Sequence, residues 1–154
     1  MITESTRDWC KMSYPNHPKG CPNYNKNELC PPKCKLLHQI FDSTKPLYLA
    51  ITIFDLEGHV ARLRRVHPDW SDRQLICCLY WQSRVRSKQK DDVRIFMLSS
   101  GCTEWTDRPE AMGLNVIYTL NKLDIPIRPQ IGSRVYKVAM VGHTKSHKIL
   151  EEYD

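Results

Sequence analysis

The sequence predicts an α/β domain: a small two-layer or three-layer arrangement with a short, partly parallel sheet, preceded by an irregular cysteine-rich metal loop. Three observations carry this reading. Runs rich in β-branched and aromatic residues at 47–54, 92–100 and 133–142 alternate with helical patterns, and such alternation favours crossovers and parallel strands. Ser71 followed by Gln74 makes a capping box that starts a helix. The stretch HPKGCPNYNKNELCPPKC (17–34) packs cysteines, prolines and Asn-rich turns into a segment that suits neither helix nor strand.

Taken in order, residues 1–35 read as irregular, and so long a loop needs something to hold it. LYLAITIF (47–54) is a buried strand. A helix runs from about Leu56 to Val66 and stops before Pro68. The next opens at Ser71, with Trp70 before it as a hydrophobic staple, and continues through LICCLYWQSRVRSKQ. DVRIFMLSS (92–100) reads as a second buried strand ending in a turn at Ser99–Cys102. A third helix takes Asp107 as N-cap and Glu110 at N3 and covers RPEAMGLNVIYTLNKL. SRVYKVAMVG (133–142) is the last strand. The whole chain, 1–154, reads as one domain, with a metal-binding segment at 1–40 and an α/β core at 45–145.

A composition of 41% apolar and 26% charged residues is that of a globular chain. MITESTRDW carries no apolar signal region. The longest apolar run, Leu47 to Phe54, is far too short for a membrane span. A cytoplasmic protein without membrane contact is the expectation. The net charge of +6 is uneven: basic residues crowd 59–90, while the terminal EEYD is acidic. A basic middle attracts nucleic acid or an acidic partner. No phosphate-binding loop, dinucleotide fingerprint, nucleophile elbow or Ser-His-Asp order is present.

Seven cysteines in a chain without export signals point to metal binding or catalysis rather than disulfides. Cys10, Cys21, Cys30 and Cys34 supply four thiolates from one loop. Four thiolates suit a tetrahedral zinc or an iron–sulfur cluster. Only Cys30 and Cys34 approach a zinc knuckle, whereas Pro22 and Pro31 each follow a cysteine, as proline does in bacterial ferredoxin runs. His17 and His38 are the nearby imidazoles; Cys34-x3-His38 has zinc-like spacing, although a lone surface histidine is the plainer reading of His38.

GCPNYNKNELCPPKC (20–34) resembles the signature of an uncharacterised family of cysteine-rich, predicted metal-binding proteins of iron–sulfur type, which pairs a C-P-x-Y segment with a nearby C-P-P. GCTEWTDRPEAMGLNVIYTL (101–120) resembles that family's later stretch, where a cysteine precedes an R-P-x-E-A-x-G helix. The resemblance implies a cysteine-bound cluster, [4Fe–4S], with Cys21, Cys30 and Cys34 as ligands. The family commonly carries further cysteines around the second motif, where this chain has Cys102 alone. Cys102 is therefore the alternative ligand, or a thiol beside the cluster.

Cys77 and Cys78 lie in the helical segment, with Cys78 expected on a core face beside Leu75, Leu79, Gln82 and Val85. The opposite face would carry Arg73, Cys77, Trp81, Arg84 and Lys88, supplemented by Arg62, Arg64 and Arg65. That interleaving suits phosphate contacts and base stacking, or a solvated basic helix with a half-buried Trp. Capping accounts for Asp107 and Glu110 and leaves Arg108 to tune a nearby cluster.

These readings converge on an iron–sulfur protein, an electron carrier or an open-cluster enzyme on a small or sulfur-containing substrate, served by a redox partner or that substrate. The alternative is a zinc-stabilised module that binds nucleic acid or protein through Arg73, Trp81, Arg84 and Lys88.

Overall fold

The computed structural model describes residues 4–13, 17–125 and 133–145. The acidic tail at 151–154 lies outside them. A 3-10 helix over Glu4–Lys11 leads into turns and a one-turn helix, α1 (Leu37–Ile40). Strand β1 (Tyr48–Asp55) runs directly into α2 (Leu56–Val66), where the Asp55 side chain accepts from the Gly58 N–H. Next come α3 (Asp72–Leu75), a 3-10 turn at Cys78–Tyr80, and the long α4 (Gln82–Ser100). Strand β2 (Glu104–Thr106), α5 (Val116–Lys122) and β3 (Arg134–Gly142) complete the order.

The α/β character stands, but the sheet is antiparallel throughout, not partly parallel. β3 lies in the middle of the order β1-β3-β2. It pairs with β1 from Tyr48↔Val141 to Asp55↔Arg134 and with β2 from Glu104↔Gly142 to Thr106↔Met140. The reason is at 92–100, expected to be a strand and found as the second half of α4. Val85, Gln89 and Val93 are buried, and Phe96 and Met97 pack behind them, at helical spacing, whereas Ile95 and Leu98 face outward. A short apolar run does not separate helix from strand by hydrophobicity alone. Gly101, at φ +71, ends the helix by donating its N–H to the Met97 carbonyl at 3.0 Å. Without a strand at 92–100 there is no crossover, hence no parallel pair.

Two helices also differ from expectation. The Ser71–Gln74 capping box forms, but the helix it opens stops at Leu75. The Trp81 indole turns inward, stacks on Phe54 at 5.1 Å, and donates to the Ile76 carbonyl at 3.2 Å. That carbonyl would otherwise receive the Tyr80 N–H, which bonds to Cys77 instead. The consequence is that Cys78 and Leu79 face solvent and Cys77 is half-buried, the reverse of the expected faces. The expected helix from Asp107 begins only at Val116, because Gly113 takes a positive φ and Asn115 supplies the cap, its Oδ1 accepting from the Tyr118 N–H at 2.9 Å. Asp107 instead faces Arg108 and Lys137.

Alternation along β3 builds two cores. Val138 and Met140 pack with Leu37, Phe41, Met112 and Leu120 on one face. Ala139 and Val141 pack with Val93 and Cys102 on the other, continuous in direction with Leu56, Trp81, Val85 and Val135. Helices therefore cover both sides of the sheet. Among the described residues no helix is long and apolar enough to cross a membrane.

Because Trp81 is a packed wedge, Trp81→Ala is expected to cost about 3–5 kcal/mol of stability. Urea unfolding followed by circular dichroism measures this, and a midpoint unchanged from the parent chain would contradict it.

Candidate metal centre

The N-terminal segment has almost no apolar interior of its own, so its order comes from turns that end on cysteines. The Cys21 N–H donates to the Cys10 carbonyl at 2.8 Å, the Cys30 N–H to Asn27 at 2.9 Å, and the Cys34 N–H to Cys30 at 3.0 Å. Asn25, at φ 56, donates its N–H to the Pro31 carbonyl at 2.8 Å and folds the middle of the segment over. Arg7 ties the two halves together. Its Nη2 donates to the carbonyls of Pro32 at 2.7 Å and Cys34 at 2.9 Å, and lies 3.8 Å from Cys34 Sγ.

Cys10 is furthest from the others in sequence, yet Gly20 binds it closely. Gly20 has φ +82, and a Cβ there would lie 2.6 Å from the Cys10 carbonyl oxygen and 2.8 Å from Lys11 backbone atoms. Only glycine allows this approach.

Cys21, Cys30 and Cys34 lie within electrostatic reach of Cys10. Burial pushes the Cys10 thiol up first, and Cys21, Cys30, Cys34 and then Glu110 add to the shift through their negative charge. Cys34 is buried, with its Sγ donating to the Ala111 carbonyl at 3.1 Å, while the other three are half-buried. Arg108 Nη1 stands 3.6 Å from Cys30 Sγ, so a second guanidinium faces the sulfurs. Arg108, left over once capping is accounted for, lies beside Cys30. Glu110, expected only as a helix cap, is half-buried beside Cys10; its carboxyl is pushed up, chiefly by burial.

The thiols share a region rather than a point. Among the described residues no three of His, Cys, Asp or Glu converge as ligands of a single ion. His38 is exposed on α1, and His17 lines a small cavity next to Cys21. A larger cavity of about 650 Å³ opens beside Cys34 and Arg108, walled by Leu29, Trp105 and Met112 with Lys35 at its edge.

Cys102 is not part of this region. It packs against Val93, Ala139 and Val141 on the opposite face of the sheet from the core that contains Leu37 and Met112. Trp105 lines both the cavity beside Cys34 and the one beside Cys102.

The basic set is dispersed as well. Arg73 lies on α3, while Arg84 and Lys88 lie on α4. Arg84 and Lys88, with Arg62, border a shallow cavity of about 200 Å³. Lys88 is paired with Asp92 at 2.8 Å, and Arg64 with Asp72. Trp81 is buried and offers no ring for a base to stack on.

No family model, curated protein or solved structure matches this chain.

Two expectations follow from the geometry. Gly20→Ala should open the Cys10–Cys21 turn at a cost of about 1–2 kcal/mol from backbone conformation alone, with the clash added. Limited proteolysis should then cut within 4–35 sooner than in the parent, and an unaltered cleavage rate would contradict the role of Gly20. The second concerns pH. A thiol whose pKa is raised in the fold holds its proton more tightly there than in the unfolded chain. Its contribution to metal-free stability is present below the ordinary thiol range and is lost as pH rises through it. The segment 4–35 should therefore grow more protease-sensitive as pH rises above the ordinary thiol range, and a cleavage rate that does not change with pH would contradict this.

Proposed function

We propose that this chain is an iron–sulfur protein in which Cys10, Cys21, Cys30 and Cys34 hold one [4Fe–4S] cluster used for electron transfer. The observation that carries the reading is the gathering of four thiols with two guanidinium groups turned toward their sulfurs. The proline-flanked spacing and the family resemblance of 20–34 point the same way.

When bound, such a cluster supplies a one-electron couple whose potential depends on charge, hydrogen bonds to sulfur and solvent exposure. The chain's own residues set those conditions. Arg7 and Arg108 donate toward Cys34 and Cys30 and favour the more negative, reduced form. The partial burial of the cysteines limits water. Four cysteine ligands leave no iron open, which favours electron transfer over substrate binding at the metal. The cavity beside Cys34 then admits a small acceptor, and the exposed Arg62, Arg84 and Lys88 give an acidic redox partner a surface to dock on. The zinc-stabilised nucleic-acid module is less well supported, because the aromatic it needs is the inward-facing Trp81.

Anaerobic purification or reconstitution tests the proposal. A brown protein with iron and acid-labile sulfide in equal amounts is expected, with colour lost on replacing Cys21 or Cys30 by serine. Arg108→Gln should retain the iron and lower the reduction potential. Colourless protein containing one zinc would overturn the reading.

A further inference from the structure

The thiol that the metal centre leaves out has a setting of its own. Cys102 Sγ lies 4.0 Å from His143 Nε2, at the outer edge of a sulfur hydrogen bond. His143 directly follows β3 and is half-buried. Asp42 packs against it, donating its N–H to the His143 carbonyl at 2.9 Å. The Asp42 carboxylate is fixed by the Thr44 N–H at 3.0 Å and hydroxyl at 2.6 Å, within electrostatic reach of the imidazole. A thiol, an imidazole and a fixed carboxylate thus stand in sequence.

The thiol also has access to a cavity. Cys102 lines a space of about 560 Å³ together with Val93, Met97 and Trp105, and Lys90 and Arg94 stand at its rim. Both cations are exposed, and neither forms a salt bridge among the described residues. An apolar floor with a sulfur in its lining under two unneutralised cations fits a small molecule with an apolar body and an anionic group.

We propose that Cys102 and His143 form a second, non-metal thiol site that reacts with small anionic acyl donors. His143 Nε2 takes the Cys102 proton as Sγ attacks the acyl carbon. The new S–C bond forms as the bond from that carbon to the leaving group breaks. The leaving group departs with the bonding electron pair and receives the proton from His143. No electron is gained or lost overall, and no metal takes part. Lys90 and Arg94 hold the anionic end of the donor and so orient its acyl carbon over the sulfur.

The probes are two phenyl thioesters of similar size, one succinyl and anionic, the other butyryl and neutral, applied to the full chain with its metal centre loaded. Peptide mass mapping follows acylation at Cys102, with the exposed Cys78 in the same molecule as reference. Relative to Cys78, the succinyl donor should acylate Cys102 roughly tenfold or more faster than the butyryl donor. His143→Gln should slow Cys102 by about 10²-fold or more, the contribution of a positioned base, and leave Cys78 unchanged. Lys90→Glu with Arg94→Glu, both on the exposed surface, should abolish the preference for the succinyl donor and tests the site without touching the core. Equal rates with the two donors, a Cys102 rate indifferent to His143→Gln in folded protein, or a preference that survives the charge reversal would each overturn the proposal.

Discussion

β3 is hydrogen-bonded along both edges, to β1 over its length and to β2 near its end, so its side chains have only the two faces of the sheet to go to. That constraint sorts the molecule. Even-numbered positions, Val138 and Met140, bind the layer that contains α1, α5 and the turn at Met112; odd-numbered positions, Ala139 and Val141, bind α4 and Cys102. Strand side chains alternate strictly, so a slip of one residue would exchange the two sets. Both ladders fix the register against such a slip. The division of the core into two clusters is therefore a property of the backbone pairing and not of any particular side chain.

On the N-terminal face the problem is electrostatic. Burial first, then the charges of Cys21, Cys30, Cys34 and Glu110, push the Cys10 thiol up. Arg7 and Arg108 bring positive charge to the sulfurs, Arg108 sharing its own with Asp107. Arg7 also has a mechanical role, since its bonds to two carbonyls close the loop between the first 3-10 helix and residues 32–34. One side chain thus links the shape of the segment to its charge.

Local signals were readable where a single rule governs them. β1 followed from its β-branched run, α2 from its stop before Pro68, and the start of α3 from the Ser71–Gln74 box. The signals failed where tertiary contacts decide. The apolar content of 92–100 suits a strand or a buried helix equally, and only the packing of Val93 on Ala139 and Val141 selects the helix. A continuous helix would leave Trp81 half-buried on its basic side, but the indole itself interrupts that helix. The cysteines of the candidate site were visible by residue type, and the turns that carry them by their Pro and Asn residues. His143 was not, because its relation to Cys102 depends on β2 lying beside β3, which no spacing in the chain announces.

The same layout explains how a segment with so little interior stays attached to the core. Leu36, Leu37 and Phe41 follow the last cysteine directly and are buried, and Phe41 also bridges to Thr144. Burying such side chains contributes about 1.5–3 kcal/mol each, independently of any metal. The Cys34 thiol, bonded to the Ala111 carbonyl, lies at the border between that apolar anchor and the thiol region. Order in the segment therefore divides at Cys34. Beyond it, packing on β3 holds the chain; before it, turns, Arg7 and the thiols must do so. A ligand gathered by the four cysteines would carry the rigidity of the core across that border, because its last anchoring sulfur already belongs to the packed side.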